Sequence, residues 1–198
     1  DYAGVNPQNG NALWRNEEGL LTENYAEARR INAGSPEPLW TGGFNTELSW
    51  KGISLGIQLE ARYGNKVLNQ DRSLFEADGA YGDSNIWKGA LNYWKKPGDT
   101  NVLPKPVYNN SSNSSNISTR YLEDGSYLRI KDITLAYNLP SKWTKKALMS
   151  GVRIYASALN LYTFHNMNYW DPEHGTTGAT IISYPMTRSM IVGVDITF

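Results

Sequence analysis

The chain has 198 residues, 19 basic and 19 acidic side chains, a formal net charge of zero and a mean hydropathy of −0.52. That balance gives no reason to expect nucleic acid or an anionic membrane surface as a partner, and the lack of any run near ~18 apolar residues excludes a membrane helix, although barrel strands alternate and leave no such run. No cysteine is present, which excludes disulfides, thiolate catalysis and zinc–cysteine sites, while 13 Tyr and 7 Trp against 4 Phe favour membrane interfaces or sugar-stacking surfaces.

Residues 1–39 are punctuated by Asn6-Pro7, Asn9-Gly10, Glu18-Gly19 and the pair Pro36 and Pro38, and they read as a long loop with a short strand at Ala12-Leu13-Trp14. From about residue 43 to 51 the sequence alternates, with Phe44, Thr46, Leu48 and Trp50 on one face against Asn45, Glu47, Ser49 and Lys51. Lys51-Gly52 predicts a tight turn. The returning strand, 52–64, sets Ile53, Leu55, Ile57, Leu59, Ala61 and Tyr63 against Ser54, Gly56, Gln58, Glu60 and Arg62. Burying those polar side chains without partners would cost on the order of 2–7 kcal/mol for each group, so the polar face calls for water. If the apolar face meets lipid, Gln58, Glu60 and Arg62 face a wet lumen.

Residues 65–124 carry no second alternating run and far exceed an ordinary connection of roughly 4–6 residues. Within them Ser84 is placed to cap a short helix carrying Trp87, Ala90, Leu91 and Trp94, and the Asn/Ser tract Asn109–Asn116 reads as mobile. A third strand is expected at 126–139, with Ile133, Leu135, Tyr137 and Leu139 opposed to Asp132, Thr134, Ala136 and Asn138. Arg129 and Lys131 then extend the apolar face, at the depth of lipid head groups. Pro140 and residues 141–150 suggest a helical turn with Trp143 as an interface anchor.

The fourth strand, 152–164, alternates poorly; the reading puts Asn160 toward the lumen and Leu159 and Leu161 toward lipid. A long loop, 165–185, holds Tyr169, Trp170, Asp171, Pro172, Glu173 and His174. The fifth strand, 187–198, aligns Met190, Val192, Val194, Ile196 and Phe198 on one face, with Asp195 on the other. Its length suits a tilted membrane strand of roughly 9–11 residues. The expected fold is therefore all-β: an antiparallel transmembrane β-barrel segment of about five strands. If Phe198 lies at the periplasmic end, loops 1–39, 65–124 and 165–185 are extracellular, the asymmetry typical of outer-membrane barrels.

Specific residues carry a resemblance. Tyr127-Leu128-Arg129-Ile130-Lys131-Asp132-Ile133-Thr134-Leu135-Ala136-Tyr137-Asn138-Leu139-Pro140 resembles the SYLRIKNITLGYxLP segment of SusC/RagA-type TonB-linked outer-membrane proteins. Val152-Arg153-Ile154-Tyr155 leading to Asn160-Leu161, then Asp171-Pro172-Glu173, then Tyr184-Pro185 before a terminal Phe, follow in the same order. Upstream, Asn6-Pro7 with Gly10 is similar to that family's DPxTGxPLY loop, and Pro38 to Phe44 to its PxxxGGF segment. The resemblance implies the C-terminal part of a 22-stranded barrel in the outer membrane of a Gram-negative cell. The signal peptide, TonB box, plug domain and most of the barrel strands of that family have no counterpart in the sequence.

It also implies TonB-dependent import of oligosaccharides or oligopeptides. The partners would be the missing barrel and plug, a SusD-like surface lipoprotein, the TonB complex acting through the plug, the barrel-assembly machinery and membrane lipid, in a dimer of transporter–lipoprotein pairs. Phe198 resembles the assembly signal. On this reading Gln58, Glu60, Arg62, Asp132, Asn160 and Asp195 face the lumen, and Trp87, Trp94, Tyr108, Tyr169 and Trp170 are candidate contacts for ligand or lipoprotein. Asp171 and Glu173, with His165 and His174 nearby, could form a carboxylate pair or a metal site. Surface contact is the commoner role for such a loop, so no catalytic residue, cofactor or metal is assigned. The competing class is a soluble, secreted β-rich carbohydrate-binding module using the same aromatic rings.

Overall fold

The computed structural model describes residues 1–82, 85–169, 171–175, 178–179, 184 and 186–198. In chain order its strands are β1 (Tyr2–Val5), β2 (Ala12–Arg15), β3 (Leu21–Thr22), β4 (Trp40–Trp50), β5 (Ile53–Tyr63), β6 (Lys66–Leu68), β7 (Leu122–Asp124), β8 (Tyr127–Asn138), β9 (Gly151–His165) and β10 (Ser189–Thr197). Two short α-helices, α1 (Gln70–Phe75) and α2 (Ser141–Thr144), accompany several single 3₁₀ turns. Among the described residues no helix is long and apolar enough to cross a membrane. The chain divides into two units.

One unit, drawn from Glu37–Asn65, Gly125–Glu173 and Tyr184–Phe198, is a five-stranded antiparallel sheet in the order β10-β9-β8-β5-β4. Lys51 (φ 47°) and Gly52 (φ 88°) make the two-residue hairpin between β4 and β5, the left-handed pair that matches strand twist. A side chain at Gly52 would press to 2.9 Å from the Asn138 carbonyl oxygen, so glycine is required there twice over. Strict pairing from Trp40↔Tyr63 to Trp50↔Ile53 keeps every apolar residue of the hairpin on one face. Met190, Val192, Val194 and Ile196 of β10 stand opposite Ala158, Ala156, Ile154 and Val152 on the same side. This face is uncovered, with Met190 82% exposed.

The fourth and third strands depart from simple alternation. Relative to β5, β8 carries an extra residue at Lys131: Gln58 pairs with Asp132 but Leu59 pairs with Ile130. β9 takes three steps from Leu159 to Tyr162 where β8 takes two from Asp132 to Ile130, and Asn160 sits in the left-handed region at φ 50°. Such bulges reverse which face the following residues occupy. Arg129 and Tyr127 therefore stand opposite Glu60 and Arg62 on the polar face, so Arg129 does not extend the apolar face as the alternation suggested. Leu159 pairs with Asp132 and Ser189, on the polar face and not toward lipid.

The other unit is built mainly from Asp1–Pro36 and Lys66–Asp124 and has its own core. Trp14, 1% exposed, is flanked edge-on by Tyr2 and Tyr25 at centroid distances of 6.5 and 5.5 Å. β1, β2 and β3 form a small sheet around it, so the first loop is folded. The β1–β2 turn is clamped by Glu23, whose carboxylate accepts from the side-chain amides of Asn6, Asn9 and Asn11 at 2.6–2.8 Å. These donors, Asn11 foremost, hold the Glu23 carboxyl below its ordinary range.

Residues 66–124 are likewise organised. β6 pairs with β7, and Asn69 caps α1 by accepting from the Arg72 N–H at 3.0 Å. Buried Arg120 donates to Asp78, to the Ser114 carbonyl at 3.0 Å and to Glu76 at 3.4 Å; Arg72 bridges Glu76 at 2.7 Å and Glu123 at 3.1 Å. Burial pushes the Tyr2 phenol up to about 12, so it stays neutral beside this cluster. The Asn/Ser tract does not hang free: Asn110 is buried, bonding Ser112, Ser114 and Ser115. The expected helix near Trp87 is a 3₁₀ turn, Lys88–Leu91, with Trp87 at its cap; Ser84 lies outside the described residues.

Candidate functional site on the polar face of the sheet

Two levels of the polar face carry organised chemistry. At the centre of the sheet, Asp132 accepts from the Thr134 and Ser157 hydroxyls, each at 2.8 Å, and the two hydroxyl oxygens lie 2.8 Å apart. The three side chains satisfy one another across β8 and β9. Farther along, beyond the bulge, five charged groups meet. The Arg129 side chain, 0% exposed, donates to Asp171 and, at 2.7 Å, to Glu173. Lys131 reaches both Glu173 and Glu60 at 3.1 Å, and the Tyr127 hydroxyl donates to Glu60 at 2.7 Å.

The Asp171-Pro172-Glu173 sequence explains the loop side of this cluster. Proline fixes its own φ, and the Asp171 carboxylate accepts the Glu173 backbone N–H at 2.9 Å, closing a turn that presents both carboxylates to one guanidinium. The two acids considered as a catalytic pair are thus occupied by Arg129 and Lys131. They tie the loop to the sheet.

Beside the cluster lies a cavity of about 320 Å³ lined by Arg129, Asn160, Thr163, His165, Tyr169 and Arg188 among others. Four residues singled out in the sequence, Asn160, His165, Tyr169 and Asp171, meet there. Asn160 also donates to the Thr187 carbonyl at 3.2 Å. Gln58, Glu60, Arg62, Asp132 and Asp195 share the polar face by register, with Asp195 paired to Arg153 at 3.2 Å.

Of the aromatic candidates, Trp94 is an anchor: its indole N–H donates to the Pro7 carbonyl at 3.0 Å, its ring backs onto Gly10 and Lys105 lies over it. Tyr108 is 81% exposed and Trp87 is half exposed, both in the loop unit; Trp170 lies outside the described residues. Phe198 follows β10 and is 88% exposed. The sequence reading missed Arg129, Lys131 and Tyr127 as polar-face residues. A signal was present: the apolar positions switch from even numbers (Leu128, Ile130) to odd ones (Ile133, Leu135, Tyr137) across Lys131.

No family model matches the chain. Among curated relatives, TonB-dependent receptor P3 of Formosa agariphila is 30% identical over 182 residues, 86% of this chain and 17% of the relative. TonB-dependent receptor P26 of the same organism is 27% identical over 197 residues, 92% and 19% respectively. The solved RagAB peptide transporter superposes over 100% of this chain and 22% of its own, with a TM-score of 0.83 and 30% identity. The chain belongs to the SusC/RagA-type TonB-dependent receptors. It spans about a fifth of the length of the relatives it matches. Its sheet is an open part of such a receptor's barrel, a protein of the Gram-negative outer membrane. The RagAB importer in its open-open state matches nearly as well, with a TM-score of 0.81 and 29% identity.

Proposed function

We propose that the chain supplies five consecutive C-terminal strands, and the loops over them, to a TonB-dependent importer of bulky nutrients, oligopeptides or oligosaccharides. The observation that carries this reading is the contrast between the two faces of the sheet. On the apolar face, aromatic rings gather toward both ends: Trp50 and Tyr137 by the hairpin turn, and Trp40, Tyr63, Tyr162 and Phe164 at the opposite end. The strand from Trp40 to Trp50 advances ten residues; at about 3.3 Å each and a tilt near 40°, this is a height of roughly 25 Å, the apolar band of such barrels.

The polar face then lines a wet lumen through Gln58, Glu60, Arg62, Asp132, Asn160 and Asp195. The Lys51-Gly52 turn and the α2 connection lie on the periplasmic side, and the loops 1–39, 65–124 and 165–185 on the extracellular side. Tyr108, Trp87, Tyr169 and Trp170 are offered there to ligand or to a SusD-like lipoprotein closing over the mouth. Energy would come from the TonB complex through a plug outside these residues, and Phe198 would serve the barrel-assembly machinery. The similar solved structures, a peptide transporter and a peptide importer, support the import of a bulky solute.

The test is purification of the intact receptor from outer membranes in mild detergent, followed by native mass spectrometry. A co-eluting lipoprotein and a bound oligopeptide or oligosaccharide are expected. Recovery of the receptor in the soluble fraction without detergent would overturn the proposal.

A further inference from the structure

The connection between β8 and β9 does more than reverse the chain. Residues 139–151 contain Lys142, Lys145 and Lys146 and no acidic residue. Pro140 starts the turn, α2 and a following 3₁₀ turn (Lys145–Ala147) wind it, and Thr144 is its buried member, its hydroxyl bonded to the Ser141 carbonyl at 3.3 Å. The lysines are exposed, as is Trp143, and Leu148, held in the left-handed region at φ 57°, is 88% exposed.

Register fixes what surrounds it. The Ser150 N–H donates to the Thr197 carbonyl at 2.7 Å, and the Asn138 N–H to the Gly52 carbonyl at 2.8 Å. The connection therefore shares one end of the sheet with Phe198 and with the hairpin turn, where the Lys51 ammonium lies 4.7 Å from the centre of the Trp50 ring. Arg153, the next cation along β9, is already paired with Asp195. Exposed apolar residues at that end of the sheet, beside surface cations that make no ion pair among the described residues, match the boundary between acyl chains and anionic head groups.

We propose that this connection is a binding surface for anionic phospholipid in the adjoining leaflet, with Lys142, Lys145, Lys146 and Lys51 taking the head-group phosphate and Trp143 and Leu148 seated among the acyl chains. The inference rests on the reading that the sheet spans the membrane.

The test uses the intact receptor in nanodiscs of phosphatidylcholine containing phosphatidylglycerol, with retained lipid counted by native mass spectrometry. The wild type should retain phosphatidylglycerol in preference to phosphatidylcholine. The triple substitution Lys142→Gln, Lys145→Gln, Lys146→Gln should lose about ten- to a hundredfold of that preference at low salt, and the matching Lys→Arg triple should keep it. Equal retention by wild type and Gln triple, with both inserted in the nanodiscs, overturns the proposal. Failure of the wild type to insert in nanodiscs of any composition overturns the membrane reading instead.

Discussion

At the scale of single residues, Arg129 decides the most. A fully buried guanidinium is tolerable because Asp171 and Glu173 both face it, and removing one member of such a set leaves uncompensated charge. Arg129→Leu should therefore cost about 3–5 kcal/mol. Thermal melting of the detergent-solubilised receptor would register it, and Lys131→Gln, at a half-buried position, should cost less. Glu23 gives a pH dependence. Its carboxyl titrates below the ordinary 4.5 when folded, so the clamp on the Asn6–Asn11 turn is complete above that value and is lost as pH falls through the depressed one. Hydrogen exchange at Gln8 and Asn11 should rise as acid protonates this carboxyl, and Glu23→Gln should show the faster exchange already at neutral pH.

At the scale of elements, the hairpin β4–β5 and strand β10 were legible because each residue's parity matches its face throughout. Val192→Arg would place a charge in the apolar band, at a cost of up to about 2–4 kcal/mol, whereas Asp195→Asn on the polar face should be tolerated. Heat-modifiable mobility of the receptor in outer-membrane fractions separates the two; equal assembly would contradict the facing. Strands β8 and β9 were less legible because period two predicts faces only where no residue is inserted. At Lys131 one is, and the parity of Leu128 and Ile130 records it. The αL conformation of Asn160, which a short polar side chain adopts most readily, marks the companion bulge.

At the scale of the whole molecule, the fold class followed from alternation and loop length, while the organisation of the long loops did not. Arg120 finds Asp78 across 42 positions and Arg72 finds Glu123 across 51; no local pattern announces such pairs. The candidate site suffered likewise, since Arg129 meets Asp171 over 42 positions. The loop unit also bears on how the sheet can form at all. β5 ends at Tyr63 and β8 begins at Tyr127, so pairing them directly would close a long loop, costing about 3 kcal/mol more entropy than a two-residue turn. The β6–β7 pair, Lys66 opposite Asp124, lies just inside those two strand ends, and the Gly125 N–H donates to the Asn65 carbonyl at 2.9 Å. Once the loop unit has folded on its core, β5 and β8 are kinetically a hairpin. Search time for the central pairing of the sheet is thereby governed by a small folded clasp, and Arg120→Leu should slow barrel assembly without altering any strand of the five-stranded sheet.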